Sequence, residues 1–363
     1  MTARIQDAVA EAMRRLKTSD VAGATVAIRD ALTGGSSRSG SGGVARESRF
    51  GESAGRGLGD VLNLLKARRG AFPSPMTRPA RGPAQNDPRF AWRTQKTTEG
   101  SLNYKLYVPE LRHPNPALLV MLHGCTQDPD DFARGTRMNR LADEFGLVVA
   151  YPHQPRSANA NGCWNWFDRR HQFAEGGEPA MLAALARTLS HEYGIAPERV
   201  FAAGLSAGAA MADVLAETHS EVFSRVGLHS GLPHLSAHDV MSAFAAMKGD
   251  GRNGRRSANA KVGRKLIIHG TADPTVHPSN AEEIFDRMRV RHPGSTIVVN
   301  RVKTSGREAT RQILVGPKGE ALAEQLLIDG AGHAWSGGDA SGSYADPLGP
   351  DASREMVAFF LGR

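Results

Sequence analysis

The chain has only two cysteines in 363 residues, Cys125 and Cys163, so the choice is one bridge or two free thiols. Neither Cys-x-x-Cys nor His-Glu-x-x-His occurs, and zinc-type ligand spacings are missing, so the sequence calls for no metal and no other cofactor. No apolar run approaches the roughly 20 residues of a membrane span, and no hydrophobic segment of signal-peptide type opens the chain. Both absences favour a soluble cytoplasmic protein. Acidic residues are outnumbered, with 45 Lys and Arg against 37 Asp and Glu, a net charge of +8. Residues 1 to 95 alone hold 16 Lys and Arg against 8 Asp and Glu, which leaves the rest of the chain neutral.

That basic segment differs in kind from the remainder of the chain. Over residues 3 to 31 an apolar stripe of Ile5, Ala8, Val9, Ala12, Met13 and Leu16 predicts a short amphipathic helix. Residues 34 to 59 are a Gly/Ser/Arg tract that cannot bury a core. Residues 1–90 are therefore read as a largely disordered extension, a helix suited to docking on a polymer granule followed by a linker, and 91–363 as the folded domain. Nucleic acid is disfavoured as a partner because no matching motif or aromatic interleaving accompanies the charge. A second basic stretch, residues 248 to 265, reads as an exposed insertion.

From residue 91 the pattern alternates strands (101–108, 117–122, 147–151, 200–205, 265–269, 295–300, 324–329) with helices (131–145, 178–193, 207–219, 279–291, 353–361). This predicts an α/β fold, a mostly parallel sheet with helices on both faces. A break at Glu99-Gly100 within residues 93 to 108 adds an antiparallel hairpin at one edge.

Chemistry enters at Val200-Phe201-Ala202-Ala203-Gly204-Leu205-Ser206-Ala207-Gly208, an apolar strand running into Gly-x-Ser-x-Gly and an Ala-rich helix. A serine hydroxyl becomes a usable nucleophile when a sharp strand-to-helix turn lifts it clear of the sheet, and Gly204 and Gly208 permit that turn. Two partners come later in the chain. Asp273 lies just past the strand that ends at His269-Gly270, and His333 sits in the glycine-rich loop after the strand that ends near Asp329. The order Ser, acid, His is that of α/β-hydrolases. His333 would take the Ser206 proton and return it to the leaving alcohol, while Asp273 fixes its tautomer. Asp329 is the rival acid, disfavoured because it belongs to a strand end rather than a loop. The strand 117–122 breaks at His123-Gly124, which makes the amide of Cys125, with that of Ala207, the expected oxyanion hole.

These residues resemble the poly(3-hydroxybutyrate) depolymerase-like esterases, a group within the α/β-hydrolases that includes feruloyl and acetyl-xylan esterases. The likeness runs from about Tyr104 to the C-terminus. It is carried by Leu122-His123-Gly124-Cys125-Thr126-Gln127, Val149-Ala150-Tyr151-Pro152, Asn161-Gly162-Cys163-Trp164-Asn165-Trp166, the serine pentapeptide, His269-Gly270-Thr271-Ala272-Asp273 and Gly332-His333-Ala334-Trp335. The resemblance implies an ester hydrolase working through Ser206, Asp273 and His333, with Cys125 and Ala207 as oxyanion donors. It also implies a Cys125–Cys163 disulfide. Many members are extracellular, an expectation that opposes the cytoplasmic one.

Just after Cys163, Trp164, Trp166 and Phe167 are expected to form a substrate-binding wall, the alternative being that they are the loop's own core. The expected substrate is a polyhydroxyalkanoate, poly(3-hydroxybutyrate) or its oligomers. Feruloyl or acetyl-xylan esters are the alternative within the enzyme class. A non-catalytic protein of the same fold, binding a polymer or granule, is the alternative outside it. An intact Ser, Asp, His set favours the enzyme.

Overall fold

The computed structural model describes residues 87–111, 113–251, 262–304 and 306–363. The extension assigned to residues 1–90 lies outside them up to residue 86, and so does most of the basic stretch before Arg264.

Strand β3 (Ala117–Leu122) shows how the sequence builds the sheet: all six residues are buried, and successive side chains face opposite sides. Leu118, Val120 and Leu122 join one core, and Leu119 and Met121 the other. The same division holds along β4 (Leu147–Pro152) and β5 (Val200–Leu205). With β6 (Arg225–His229), β7 (Arg264–Gly270) and β10 (Ala321–Ile328) they form a six-stranded parallel centre in the order β4-β3-β5-β6-β7-β10. An antiparallel hairpin extends each side. On one it is β1 (Phe90–Thr97) and β2 (Gly100–Tyr107), turning at the predicted Glu99-Gly100 break. On the other it is β8 (Thr296–Lys303) and β9 (Glu308–Val315), which the sequence pattern does not announce as a hairpin.

Helices cover both faces. Helices α3 (Gly177–Tyr193), α4 (Ala207–Thr218) and α6 (Ser279–Arg291) bury Leu182, Leu185, Met211, Leu215, Ile284 and Phe285 in one core. On the other face, α1 (Pro129–Thr136), α2 (Met138–Phe145) and α7 (Ala352–Leu361) contribute Phe132, Leu141, Met356 and Phe360. The single helix expected over 131–145 is thus two. Arg137, with φ 54°, ends α1 in a left-handed cap and starts α2. Asp128 caps α1 by accepting from Asp131 N–H at 2.8 Å, with Pro129 in the first helical position. A short helix α5 (Val240–Met247) comes after β6. Among the described residues no helix is long and apolar enough to cross a membrane.

Candidate active site

The parallel centre brings the carboxyl ends of β3, β5, β7 and β10 to one rim, where crevices of α/β sheets bind ligands. Ser206 occupies the single position between β5 and α4, with φ 57° and ψ −119°. A non-glycine residue holds such a conformation only where its surroundings over-determine it. Here they do: Ser206 N–H donates to His229 O at 2.9 Å, and Ser206 O accepts from Ala210 N–H at 2.9 Å. A Cβ on Gly208 would lie 2.0 Å from Leu122 O, so only glycine lets α4 begin this close to the end of β3.

Asp273 and His333 meet across the rim. His333 Nδ1–H donates to Asp273 Oδ2 at 2.7 Å, which leaves Nε2 as the free ring nitrogen. The other carboxylate oxygen, Oδ1, accepts from the backbone N–H groups of Thr275 and Val276, both at 2.9 Å. Burial alone would raise the Asp273 pKa, but hydrogen bonds from His269 and His333 outweigh it and hold the carboxyl well below the usual range. Close approach of the two loops requires Gly270, where a Cβ would fall 2.3 Å from Ala331 O. The rival Asp329 is elsewhere: it is half-exposed and pairs with Arg301 at 2.6 Å. Ser206 Oγ makes no hydrogen bond to His333 in this structure.

The turn after β3 supplies the third component. Gly124 packs against Ser206, since a Cβ there would lie 3.6 Å from Ser206 Cβ. Among the described residues, neither the Cys125 N–H nor the Ala207 N–H meets a protein acceptor, which leaves both available for the oxyanion role expected of them. His123 is buried. Its Nε2 accepts from Gln154 N–H at 3.2 Å, so Nδ1 carries the proton and donates to Gly124 O at 2.8 Å. Burial pushes its pKa down to about 4, which keeps the ring neutral.

Cys125 and Cys163 are joined in a disulfide that ties this turn to the loop after β4. Buried Glu178 organises that loop, accepting from Asn165 N–H at 2.8 Å, Asn165 Nδ2 at 2.6 Å and Gln154 Nε2 at 2.6 Å. The three aromatics expected as a wall are placed differently. Trp164 is 0 % and Trp166 5 % exposed, both within the core, and only Phe167 is half-buried at its edge. The exposed rings in the neighbouring loops are Phe173 and Tyr344.

Several contributors carry no catalytic signature in the sequence. Gln127 accepts from Gly124 N–H through Oε1 at 2.9 Å and donates from Nε2 to Ser343 O at 3.1 Å. Tyr344 OH lies 3.4 Å from Thr126 Oγ1, beside Cys125. His269 Nε2–H donates to Val276 O at 2.9 Å and lies 3.4 Å from Asp273 Oδ2. Gln127 and His269 both stand inside the motifs that carry the family resemblance, but their partners are largely backbone and leave no pattern of their own. Among the described residues no group of three or more His, Cys, Asp or Glu side chains is placed to hold a metal ion.

Comparison with known proteins places the chain in a family. Residues 102–291 match the family described as Esterase PHB depolymerase, a span that contains both cysteines, Ser206 and Asp273 and ends before His333. The chain is 30% identical to poly(3-hydroxyalkanoate) depolymerase C of Paucimonas lemoignei over 248 residues, 65% of this chain and 59% of that protein. It is 29% identical to acetylxylan esterase A of Talaromyces purpureogenus over 204 residues, 51% of this chain and 52% of the relative. The chain therefore spans little more than half the length of these curated relatives. The solved acetyl xylan esterase from Aspergillus awamori shares the fold, with a TM-score of 0.57 at 19% identity over 74% of this chain and 98% of that one.

Proposed function

The chain belongs to the esterase PHB depolymerase family, and from that premise we propose that it is a serine ester hydrolase acting on a polyhydroxyalkanoate, poly(3-hydroxybutyrate) or its oligomers. The observation that carries this reading is the 2.7 Å bond from His333 Nδ1–H to Asp273, on the same rim as a serine held at φ 57°. With Nδ1 committed, His333 Nε2 removes the Ser206 proton as Oγ attacks the ester carbonyl. The oxyanion that forms lies between the N–H groups of Cys125 and Ala207, and collapse expels the alcohol, which takes the proton from Nε2. Water then attacks the acyl-enzyme with His333 again as base, releasing the acid and restoring Ser206. Asp273 stays ionised throughout and stabilises the imidazolium.

The family match and the likeness to a polyhydroxyalkanoate depolymerase support the polyester over acetyl or feruloyl esters. The test is a panel of p-nitrophenyl esters, 3-hydroxybutyrate oligomers, amorphous polymer, methyl ferulate and acetylated xylan. Activity on the oligomers and polymer is the expected result, and preference for methyl ferulate or acetylated xylan would move the substrate. Inertness on the whole panel would point to a binding protein instead. Ser206→Ala should abolish turnover on any substrate the parent cleaves, with Asp273→Asn and His333→Ala losing comparable factors because the three act as a unit. Asp329→Asn should keep parental activity; if it failed and Asp273→Asn did not, the acid would be Asp329.

A further inference from the structure

The Gly124–Cys125 peptide must present its N–H to the reacting carbonyl, yet it begins at a glycine, the residue with least intrinsic preference for any one orientation. What holds it is a set of hydrogen bonds. In a planar trans peptide the C=O and N–H point to opposite sides. Gly124 O is engaged by His123 Nδ1–H at 2.8 Å and by Gln127 N–H at 3.3 Å, which turns Cys125 N–H the other way, where no protein acceptor among the described residues meets it. The preceding peptide is fixed as well, by Gly124 N–H donating to Gln127 Oε1 at 2.9 Å. Both peptides flanking Gly124 are therefore anchored to Gln127.

The far end of the same side chain reaches another loop. Gln127 Nε2 donates to Ser343 O at 3.1 Å and lies 3.2 Å from Asp131 Oδ2. Asp131 in turn accepts from Ser343 N–H at 3.0 Å and from the Ser343 hydroxyl. Ser343 immediately precedes Tyr344, whose carbonyl accepts from Trp335 N–H at 2.6 Å, and Trp335 lies two residues after His333. Its neighbours complete a short parallel pair, β11 (Trp335–Ser336) with β12 (Ala345–Asp346). One 6 %-exposed side chain thus bridges the oxyanion turn and the segment that carries the base.

We propose that Gln127 is a positioning residue: its amide sets the Gly124–Cys125 peptide and couples the oxyanion turn to the His333 segment. The proposal rests on the ester-hydrolase reading for its kinetic consequence, but not for its structural one. Met matches the length of Gln without its hydrogen bonds, and Glu keeps the acceptor for Gly124 N–H while losing the donor to Ser343. In Gln127→Met, kcat on p-nitrophenyl butyrate should fall about 10- to 100-fold, less than or similar to loss of one oxyanion donor. KM should stay within about twofold, and affinity for an alkyl boronic acid, which forms a tetrahedral adduct on Ser206, should fall by the same factor as kcat. Gln127→Glu, which sets a carboxylate oxygen in place of the amide that lies 3.2 Å from Asp131 Oδ2, should lose as much or more. Hydrogen exchange should quicken at residues 120–127 and 340–346 in Gln127→Met and elsewhere match the parent. Parental kcat and boronate affinity in the folded Met variant, or a loss confined to KM, would overturn the proposal. So would unchanged exchange in both segments, a result readable even if the parent cleaves no ester.

Discussion

The strained turn at the candidate nucleophile Ser206 was legible because it is flanked by glycines that no larger side chain could replace. Gly208 shows the demand most sharply, since a methyl there would collide with Leu122 O at 2.0 Å and His123 O at 2.7 Å. Neither is a flexible side-chain end, so α4 or the turn after β3 must retreat. Gly208→Ala should cost at least the roughly 1–3 kcal/mol typical of overpacking and lower kcat by displacing Ala207 N–H from the turn that carries Cys125. Circular-dichroism melting and ester kinetics on the purified variant check both; an unchanged midpoint with parental kcat would mean that the contact relaxes freely. That His333 pairs with Asp273 and not Asp329 could be anticipated from position, because loops past strand ends are free to present side chains whereas strand ends pair with neighbours, as Asp329 does with Arg301. Trp164 and Trp166 were harder to read. Aromatics amid Gly and Asn look like an exposed loop, and only the disulfide, the Glu178 network and the His123 ring 5.9 Å from Trp164 turn that segment inward.

At the scale of elements, strands with unbroken apolar runs were readable and short or polar ones were not. Strand β6 is only five residues, Arg-Val-Gly-Leu-His, with Gly227 at its middle because Met356 of α7 crosses there: a Cβ would lie 2.6 Å from its sulfur. Strand β9, Glu-Ala-Thr-Arg-Gln-Ile-Leu-Val, lies outside the parallel centre, next to the edge strand β8, and carries polar residues along much of its length. Helix periodicity runs through Arg137 because nothing in the side chain announces a left-handed residue. The link between elements with the largest expected effect is the Cys125–Cys163 bridge, which spans 38 residues and joins the turns after β3 and β4. Chain entropy assigns such a loop about 4 kcal/mol. Reduction, or the Cys125→Ser, Cys163→Ser double variant, should lower the thermal midpoint. Superimposable melts of oxidised and reduced protein, with thiol titration confirming each state, would show that the surrounding packing already holds both turns.

For the whole molecule, stability should depend on pH because the two cores and the rim enclose ionisable groups. Burial pushes the pKa of His123 down to about 4, of His229 down to about 3 and of His234 down to about 4. Each is neutral in the folded protein and each is tied to backbone, His229 accepting from Ser336 N–H at 3.0 Å and His234 Nε2–H donating to Gln172 O at 2.8 Å. Unfolded, each would titrate near its ordinary value of about 6.5. Below that pH the unfolded chain binds more protons than the native one, so stability falls as pH falls, from about 6.5 down towards the folded values. Three such groups give a slope of roughly 3–4 kcal/mol per pH unit near pH 5. Asp213 and Asp273 add a second window: burial opposes ionisation, but Lys265 beside Asp213 and the histidines beside Asp273 hold both pKa values low. Their stabilisation is complete above the ordinary carboxylate pKa and is lost as pH drops further through the folded values. Urea unfolding measured at half-unit steps from about pH 7.5 to 4 should therefore show a flat region above about pH 7 and a steepening loss below about 6.5. His234→Gln, which can keep a donor to Gln172 O without titrating, should make that slope shallower by about one proton. A midpoint independent of pH between about 7 and 5 would mean that these histidines are not protonated on unfolding, and an unchanged slope in His234→Gln would remove that residue from the set.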